Sequence, residues 1–347
     1  MGCGRVVAVI VLAIVLLGGC ASYRGAVAPD RPPHHGAQGF RNWPPIDEPD
    51  ASEIAADWAR LAVTTRRRTP PPGFALPLAE ARAGWDALGG ADAIMWIGHA
   101  TMLIRVAGVT VLTDPVFAES MTPLPPFGPL RVVPPGLPID SLPRIDAIVV
   151  SHNHYDHYEP DAIRRIAARD RPLCLVPLRV RPEHDLGCER FAALDWGESA
   201  TRGAVTLRFL PAQHESGRSM FDRNRTLWGS WLIEGNGRKV YFAGDTGFGP
   251  HFASIAAQYG PIDLAILPVA AHLPRNPNAL LHIGPDDAIR AFVALGARRM
   301  VAMHWGTYAL GTDGVFAALT EIPRAARAAA IAPDRVWLMR IGETRRL

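Results

Sequence analysis

Charge imbalance is slight in this chain of 347 residues: Lys and Arg number 36, Asp and Glu 33, and the formal net charge is +3. With neither a basic stripe nor a polybasic tail, the sequence argues against nucleic acid as a partner. Cysteine is sparse as well, at 4 residues, Cys3, Cys20, Cys174 and Cys188. The prominent apolar run, residues 6–16, is too short and too early to be a comfortable membrane-spanning helix. No internal repeat is visible.

Against this background the run Ser151-His152-Asn153-His154-Tyr155-Asp156-His157 is the richest part of the chain. It follows Ile145-Asp146-Ala147-Ile148-Val149-Val150, an apolar, β-branched stretch that reads as a buried strand. In an extended segment, side chains at i and i+2 share a face, so His152 and His154 can grip one cation together. Asp156 and His157 come where the chain has left the sheet and can reach a second cation. Imidazole and carboxylate without thiolate suit zinc, iron or manganese. A dinuclear site needs further ligands at the ends of later strands. Segment 205–210 runs into His214, segment 239–243 into Gly244-Asp245-Thr246-Gly247, and segment 300–303 into His304-Trp305-Gly306-Thr307. Each places one metal-competent residue where a strand stops.

The order H-x-H-x-D-H, then His, then Gly-Asp-Thr-Gly, then His resembles the metallo-β-lactamase superfamily. Trp96-Ile97-Gly98-His99-Ala100-Thr101, Leu112-Thr113-Asp114-Pro115, Thr226-Leu227-Trp228-Gly229-Ser230-Trp231 and His304-Trp305-Gly306-Thr307 narrow the resemblance. They point to the branch of phospholipases D that hydrolyse N-acylphosphatidylethanolamine, and the similarity covers roughly residues 93–343. The resemblance implies two divalent metal ions, zinc first, with iron or manganese as alternatives. His152, His154 and His214 would hold one ion; Asp156, His157 and His304 would hold the other, with Asp245 bridging. Asp114 would support the metal loop from behind, and His99 is a weaker supporting candidate. His282, in Leu-Leu-His-Ile-Gly-Pro, would lie near the reacting centre outside the metal shell. Asp156, Asp245 and His282 are thus the candidate catalytic residues. The chain departs from the animal enzymes of this branch at Glu215-Ser216-Gly217-Arg218, where a substrate-contacting loop is expected, and around His272.

The N-terminus resembles a bacterial lipoprotein signal: Arg5, the apolar run, then Leu17-Gly18-Gly19-Cys20-Ala21-Ser22. The resemblance implies cleavage after residue 19 and lipidation of Cys20. Without an Asp after Cys20, attachment to the outer membrane facing the periplasm is the better expectation. Residues 20–50, rich in Pro and Gly, read as a flexible to semi-extended tether. Residues 51–68 read as a helix ending in Arg66-Arg67-Arg68, the start of a helical extension over 51–90. Residues 91–345 read as one hydrolase domain. Cys174 and Cys188 remain in the mature chain. An oxidising compartment would allow them to pair, but a cysteine in a strand is more commonly a small buried hydrophobe.

Strand-like segments at 93–97, 102–106, 109–113, 145–150, 173–176, 205–210, 227–234, 239–243, 263–268, 300–303 and 335–339 alternate with helical patterns at 160–169, 285–295 and 314–330. Such a mixture suggests a layered α/β protein, and the resemblance makes it a four-layer αββα sandwich with two mixed β-sheets. The Pro-rich loop 115–138 is long enough to be a functional rim, with Phe117, Met121, Leu124, Phe127 and Leu130 able to line an apolar entrance or to pack on the body. The expected chemistry is metal-assisted hydrolysis of a phospholipid phosphodiester or of a small-molecule substrate. Hydrolysis of a lactone or related ester on the same metals is an alternative, as is a non-catalytic metal-binding envelope lipoprotein. Class B β-lactamase activity is disfavoured, because those enzymes commonly carry cysteine at the place of Asp245. Oligomeric state is left open.

Overall fold

Apolar runs punctuated by Gly, Pro and Asp set the course of the chain. Two helices come first, α1 (Ala51–Ala62) and α2 (Leu78–Asp86). They are followed by β1 (Ala93–Gly98), β2 (Thr101–Val106), β3 (Val109–Thr113), β4 (Ala147–Val149), α3 (Pro160–Asp170), β5 (Leu173–Pro177) and β6 (Arg190–Leu194). A second run comprises β7 (Ser199–Arg202), β8 (Val205–Leu210), β9 (Ser230–Gly235), β10 (Arg238–Phe242), α4 (His251–Tyr259), β11 (Leu264–Pro268), α5 (Pro285–Ala294), β12 (Arg299–Met303), α6 (Ala318–Ala328) and β13 (Val336–Trp337). β14 (Thr344–Arg346) closes the fold. This computed structural model describes residues 31–49, 51–62, 69–122, 128–182, 184–219, 221–273 and 279–347. The expected signal 1–19, Cys20, Arg66-Arg67-Arg68, Leu124 and Phe127 lie outside the described residues.

The strands form two seven-stranded sheets, ordered β14-β1-β2-β3-β4-β5-β6 and β13-β12-β11-β10-β9-β8-β7. Each has three antiparallel pairings on one side and three parallel ones on the other. Parallel neighbours need long crossovers, and α3, α4, α5 and α6 supply helices in four of them. One apolar core lies between the sheets, around Trp96, Trp231, Phe209 and Phe242, and continues beneath α5 and α6. A second lies between the first sheet and its helices, with Trp85 of α2 and Ile163 and Ile166 of α3 against Leu103, Leu112 and Ile148. The layers are therefore helix, sheet, sheet, helix. Strands covered on both faces lose polar alternation, which is why β1 to β5 are buried throughout.

Two expectations change. Cys174 and Cys188 are joined by a disulfide, so the unpaired reading does not hold. Cys174 lies in β5, and β5 pairs in parallel with β6, so strand pairing carries the segment just before β6 across to it. Residues 31–49 also do not behave as a free spacer. Phe40 and Asn42 are each only 1% exposed, held against the sandwich through Asn224 and His214. Physically, a Pro/Gly-rich composition limits regular secondary structure but does not prevent irregular backbone from docking. No helix among the described residues is long and apolar enough to cross a membrane.

Candidate metal centre

The carboxyl ends of β4, β8, β10 and β12 open on one edge of the sandwich, which brings distant ligands together. β4 delivers His152, His154, Asp156 and His157; the other three lead into His214, Asp245 and His304. All but half-buried His154 are buried.

The donor atoms gather into two groups around one carboxylate. His152 Nε2 is 2.9 Å from His154 Nδ1, and His214 Nε2 is 3.4 Å from that same nitrogen. In the other group, Asp156 Oδ2 lies 3.2 Å from His304 Nε2 and 3.4 Å from His157 Nε2. Asp245 Oδ2 reaches both groups, at 3.0 Å from His304, 3.2 Å from His157 and 4.0 Å from His214. His99, expected only as a supporting residue, approaches more closely than that. Its Nε2 is 2.9 Å from Asp156 Oδ2, and its ring lies 4.1 Å from that of His304.

Asp114 works from behind. Its Oδ2 accepts from His157 Nδ1 at 2.6 Å and from the Ser151 hydroxyl at 2.6 Å, while Oδ1 accepts from Ser151 N at 2.7 Å. The His157 contact directs Nε2 inward and fixes the tautomer. Gly244, at φ +61°, lets the Asp245 loop pass Ser151, where an added Cβ would stand 2.5 Å from the serine Cβ. The second sheet also pins β4 in place: Trp231 Nε1 donates to Val150 O at 2.9 Å and Gly229 N to Ser151 O at 3.0 Å. His99, Asp114 and His304 all have positive φ, of 53°, 34° and 66°, unfavourable for side-chain-bearing residues and common at functional sites.

The donor set fits divalent cations. His157 Nε2 and Asp245 Oδ1 are buried without a hydrogen-bond partner, unusual for groups whose desolvation is costly. Burial holds His152 and His214 well below the ordinary imidazole value and brings His154 down to about 4. These are neutral bases ready to ligate. Burial also works against charge on His304 and His157, but the carboxylates of Asp245 and Asp156 outweigh it. They hold His304 at about 9 and His157 well above the usual range. Protons on these two rings balance the carboxylates where a cation would otherwise do so. For Asp156 and Asp245 burial favours the neutral acid, yet the neighbouring imidazoles keep both carboxyls well below the usual range.

His282 stands at the mouth, 17% exposed at its side chain and 3.6 Å from Asp245 Oδ2, and burial lowers its pKa. His272 is set apart, with Nδ1 3.7 Å from Asp313, beside a cavity of about 70 Å³ that His282 also lines. The loop at 215–218 turns toward the metal motif. Arg218 donates to the carbonyls of Asn153 and Tyr158 at 2.9 and 3.0 Å and lies 3.8 Å from the Tyr155 ring centroid. In the rim, the described part of 115–138 packs on the body: Val132 N donates to Thr307 O and Gly136 N to Ile97 O. Sequence reasoning overlooked Ser151 as the hub of Asp114. It also overlooked buried His251, whose Nε2 is 3.2 Å from Thr246 Oγ1 in the Asp245 loop, and Asn42, which bonds the main chain of His214. Only His251 carried a local signal, as a histidine closely following Gly-Asp-Thr-Gly.

Known proteins are similar to this chain. A family profile described as "Beta-lactamase superfamily domain" matches residues 109–305. An uncharacterized protein of Mycobacterium tuberculosis is 39% identical over 224 residues, 63% of this chain and 59% of that protein. N-acyl-phosphatidylethanolamine-hydrolyzing phospholipase D 1 of Caenorhabditis elegans is 38% identical over 229 residues, 62% of this chain and 64% of that enzyme. The chain thus spans about three-fifths of the length of these curated relatives. In fold it is similar to a possible metal-dependent hydrolase from Veillonella parvula, with a TM-score of 0.58 at 20% identity, covering 74% of this chain and 100% of that one. The chain belongs to the metallo-β-lactamase superfamily.

Proposed function

We propose that this protein is a dinuclear metal-dependent hydrolase acting as a phospholipase D-type phosphodiesterase on N-acylphosphatidylethanolamine or a related phospholipid. The observation that carries the reading is the sharing of Asp245 between two buried ligand groups. The metal ions, when bound, supply Lewis acidity toward a phosphoryl oxygen and acidify a water to a pKa near ~7.

The protein's own part is orientation and proton handling. His157 is aimed by Asp114, and His214 donates Nδ1–H to Leu281 O at 2.9 Å, leaving its Nε2 to face the site. His282 is neutral near pH 7 because burial lowers its pKa. At the mouth it can accept a proton from the attacking water and, as the imidazolium so formed, pass that proton to the departing alkoxide. Exposed Trp43, Phe221 and Leu280 flank the site in sequence. Trp43 follows Asn42, the Leu280 carbonyl accepts from Gln213 at 2.8 Å, and Phe221 shares its turn with Arg218. Exposed apolar side chains next to elements of the site suit a substrate with acyl chains, and the C. elegans relative carries the name of an enzyme of this activity.

Attachment to the bacterial envelope through lipidated Cys20, at the outer membrane and facing the periplasm, belongs to the same proposal. The Cys174–Cys188 disulfide suits that oxidising setting. A Cys20→Ser variant that still fractionates with membranes would remove the lipid anchor from it.

Purified, metal-loaded protein should be assayed side by side on N-acylphosphatidylethanolamine, bis(p-nitrophenyl) phosphate and a lactone panel. Release of phosphatidic acid and N-acylethanolamine is expected. Turnover of lactones alone would make the centre a carbonyl-ester hydrolase.

A further inference from the structure

We propose that Asn42 is a positioning residue for His214, so that the N-terminal strap 31–49 completes the metal centre. The proposal rests on the reading of the His152, His154 and His214 group as a cation site. His214 lies past the end of β8, where no neighbouring strand satisfies its main chain. Asn42 does so from both sides: its Nδ2 donates to His214 O at 2.8 Å, and its Oδ1 accepts from His214 N at 3.0 Å. With Nδ1 bonded to Leu281 O, the histidine is fixed at three points, and only Nε2 is left to turn toward His154. Removing the amide would orphan a buried donor and a buried acceptor on the ligand's own backbone.

The strap is itself held on both sides of Asn42. His34 and His35 reach opposite oxygens of Asp195, each at 2.7 Å, and the His34 ring stacks on Trp196 at 4.1 Å. Phe40 N donates to Asn224 O at 2.7 Å. Gly39 passes so close to Asn224 that a Cβ would stand 2.2 Å from its carbonyl oxygen. Beyond Asn42, Glu48 accepts from the Asn42 amide at 3.2 Å, and Arg223 donates to Pro49 O at 3.0 Å. Asn42 is thus a rigid clamp delivered from outside the matched family region, which begins at residue 109.

The test is a metal titration of the full-length protein after stripping. Zinc is titrated against a chromophoric chelator, and cobalt absorption is followed in parallel. Wild type, Asn42→Ala and Asn42→Asp are compared, with thermal unfolding of each metal-free protein as the folding control. Wild type should take two equivalents. Asn42→Ala should weaken one of them by about 10–100-fold, alter the cobalt spectrum of that ion, and leave the other within about threefold. Asn42→Asp keeps an acceptor for His214 N but loses the donor to its carbonyl, and should fall between the two. If Asn42→Ala does not fold, Asn42→Asp decides by the same criterion. Unchanged binding of both ions, or equal weakening of both, would overturn the role of Asn42. A wild-type protein that takes no metal would instead bring down the metal reading on which the inference rests.

Discussion

The two sheets share one pairing pattern but furnish the site differently. The first gives four candidate ligands from a single strand end, His152, His154, Asp156 and His157, through local spacing. The second gives His214, Asp245 and His304, one from the end of each of three strands. The first arrangement brings its ligands together by local spacing, with tertiary contacts bracing the segment. The second exists only because β8, β10 and β12 end on the same edge. The proposed bridge comes from the second sheet: Asp245 Oδ2 reaches His304, His157 and His214. Support runs the other way as well: Asp114, at the end of β3, braces His157, while Trp231 and Gly229 of the second sheet hold the end of β4.

The largest expected effect tests that division. Asp245→Asn removes the shared charge and should lower turnover by at least about two orders of magnitude, more than loss of a supporting group costs. Its unfolding transition should remain cooperative. Steady-state kinetics and metal analysis together check this, and a fully active variant would remove the bridge from the second sheet. Asp114→Ala acts within the first sheet and should weaken metal affinity by about 10–100-fold. The loss should concentrate on the ion held by Asp156, His157 and His304, which a chelator competition would resolve.

A third prediction separates the groups by pH. In metal-free protein, His152, His154 and His214 are pushed below the unfolded value of about 6.5. Their neutral burial thus contributes stability above that pH and costs it below. His304, raised to about 9, contributes stability that is full below about 6.5 and disappears as pH rises through about 9. Stability of metal-free protein should therefore peak at pH ~6.5 and decline on both sides, on the alkaline side until about pH 9. Bound metal should flatten the alkaline side, because it replaces the protons on His157 and His304. Denaturant midpoints across pH, with and without zinc, test this; an alkaline limb unaffected by zinc would contradict it.

The smallest effect on function is expected at the disulfide. It closes a loop with a sequence separation of 14, a length for which cross-linking contributes about 3 kcal/mol. Cys174→Ala with Cys188→Ala should lower the denaturant midpoint accordingly while leaving catalysis at moderate temperature unchanged.

Sequence reading reached the local half of the site more fully than the distributed half. The buried apolar strands are direct readouts of periodicity, whereas His152 and His154 lie past β4, which ends at Val149, and meet through the irregular segment that follows. His214, Asp245 and His304 were placed at strand ends, but their grouping came from resemblance, because strand order is not written in any short segment. The edge strands β6, β7 and β14 escaped notice: β7 and Thr344-Arg345-Arg346 lack an apolar run, and the short Phe-Ala-Ala-Leu run of β6 is mostly partly exposed. The shared pairing pattern of the sheets left no visible sequence repeat, because hydrogen-bonded pairing constrains backbone direction more than side-chain identity. Asn42 was hidden for another reason. A lone asparagine in a Pro-rich stretch acquires its role only when the chain folds back 172 positions onto His214.

The central claim is that both sheets converge on two cations with Asp245 between them. Anomalous diffraction from crystals of the zinc-loaded protein tests it most directly. Two metal peaks are predicted, one among His152, His154 and His214 and one among Asp156, His157 and His304, each in contact with Asp245. A single peak remote from Asp245, or none at full zinc loading, would contradict the account.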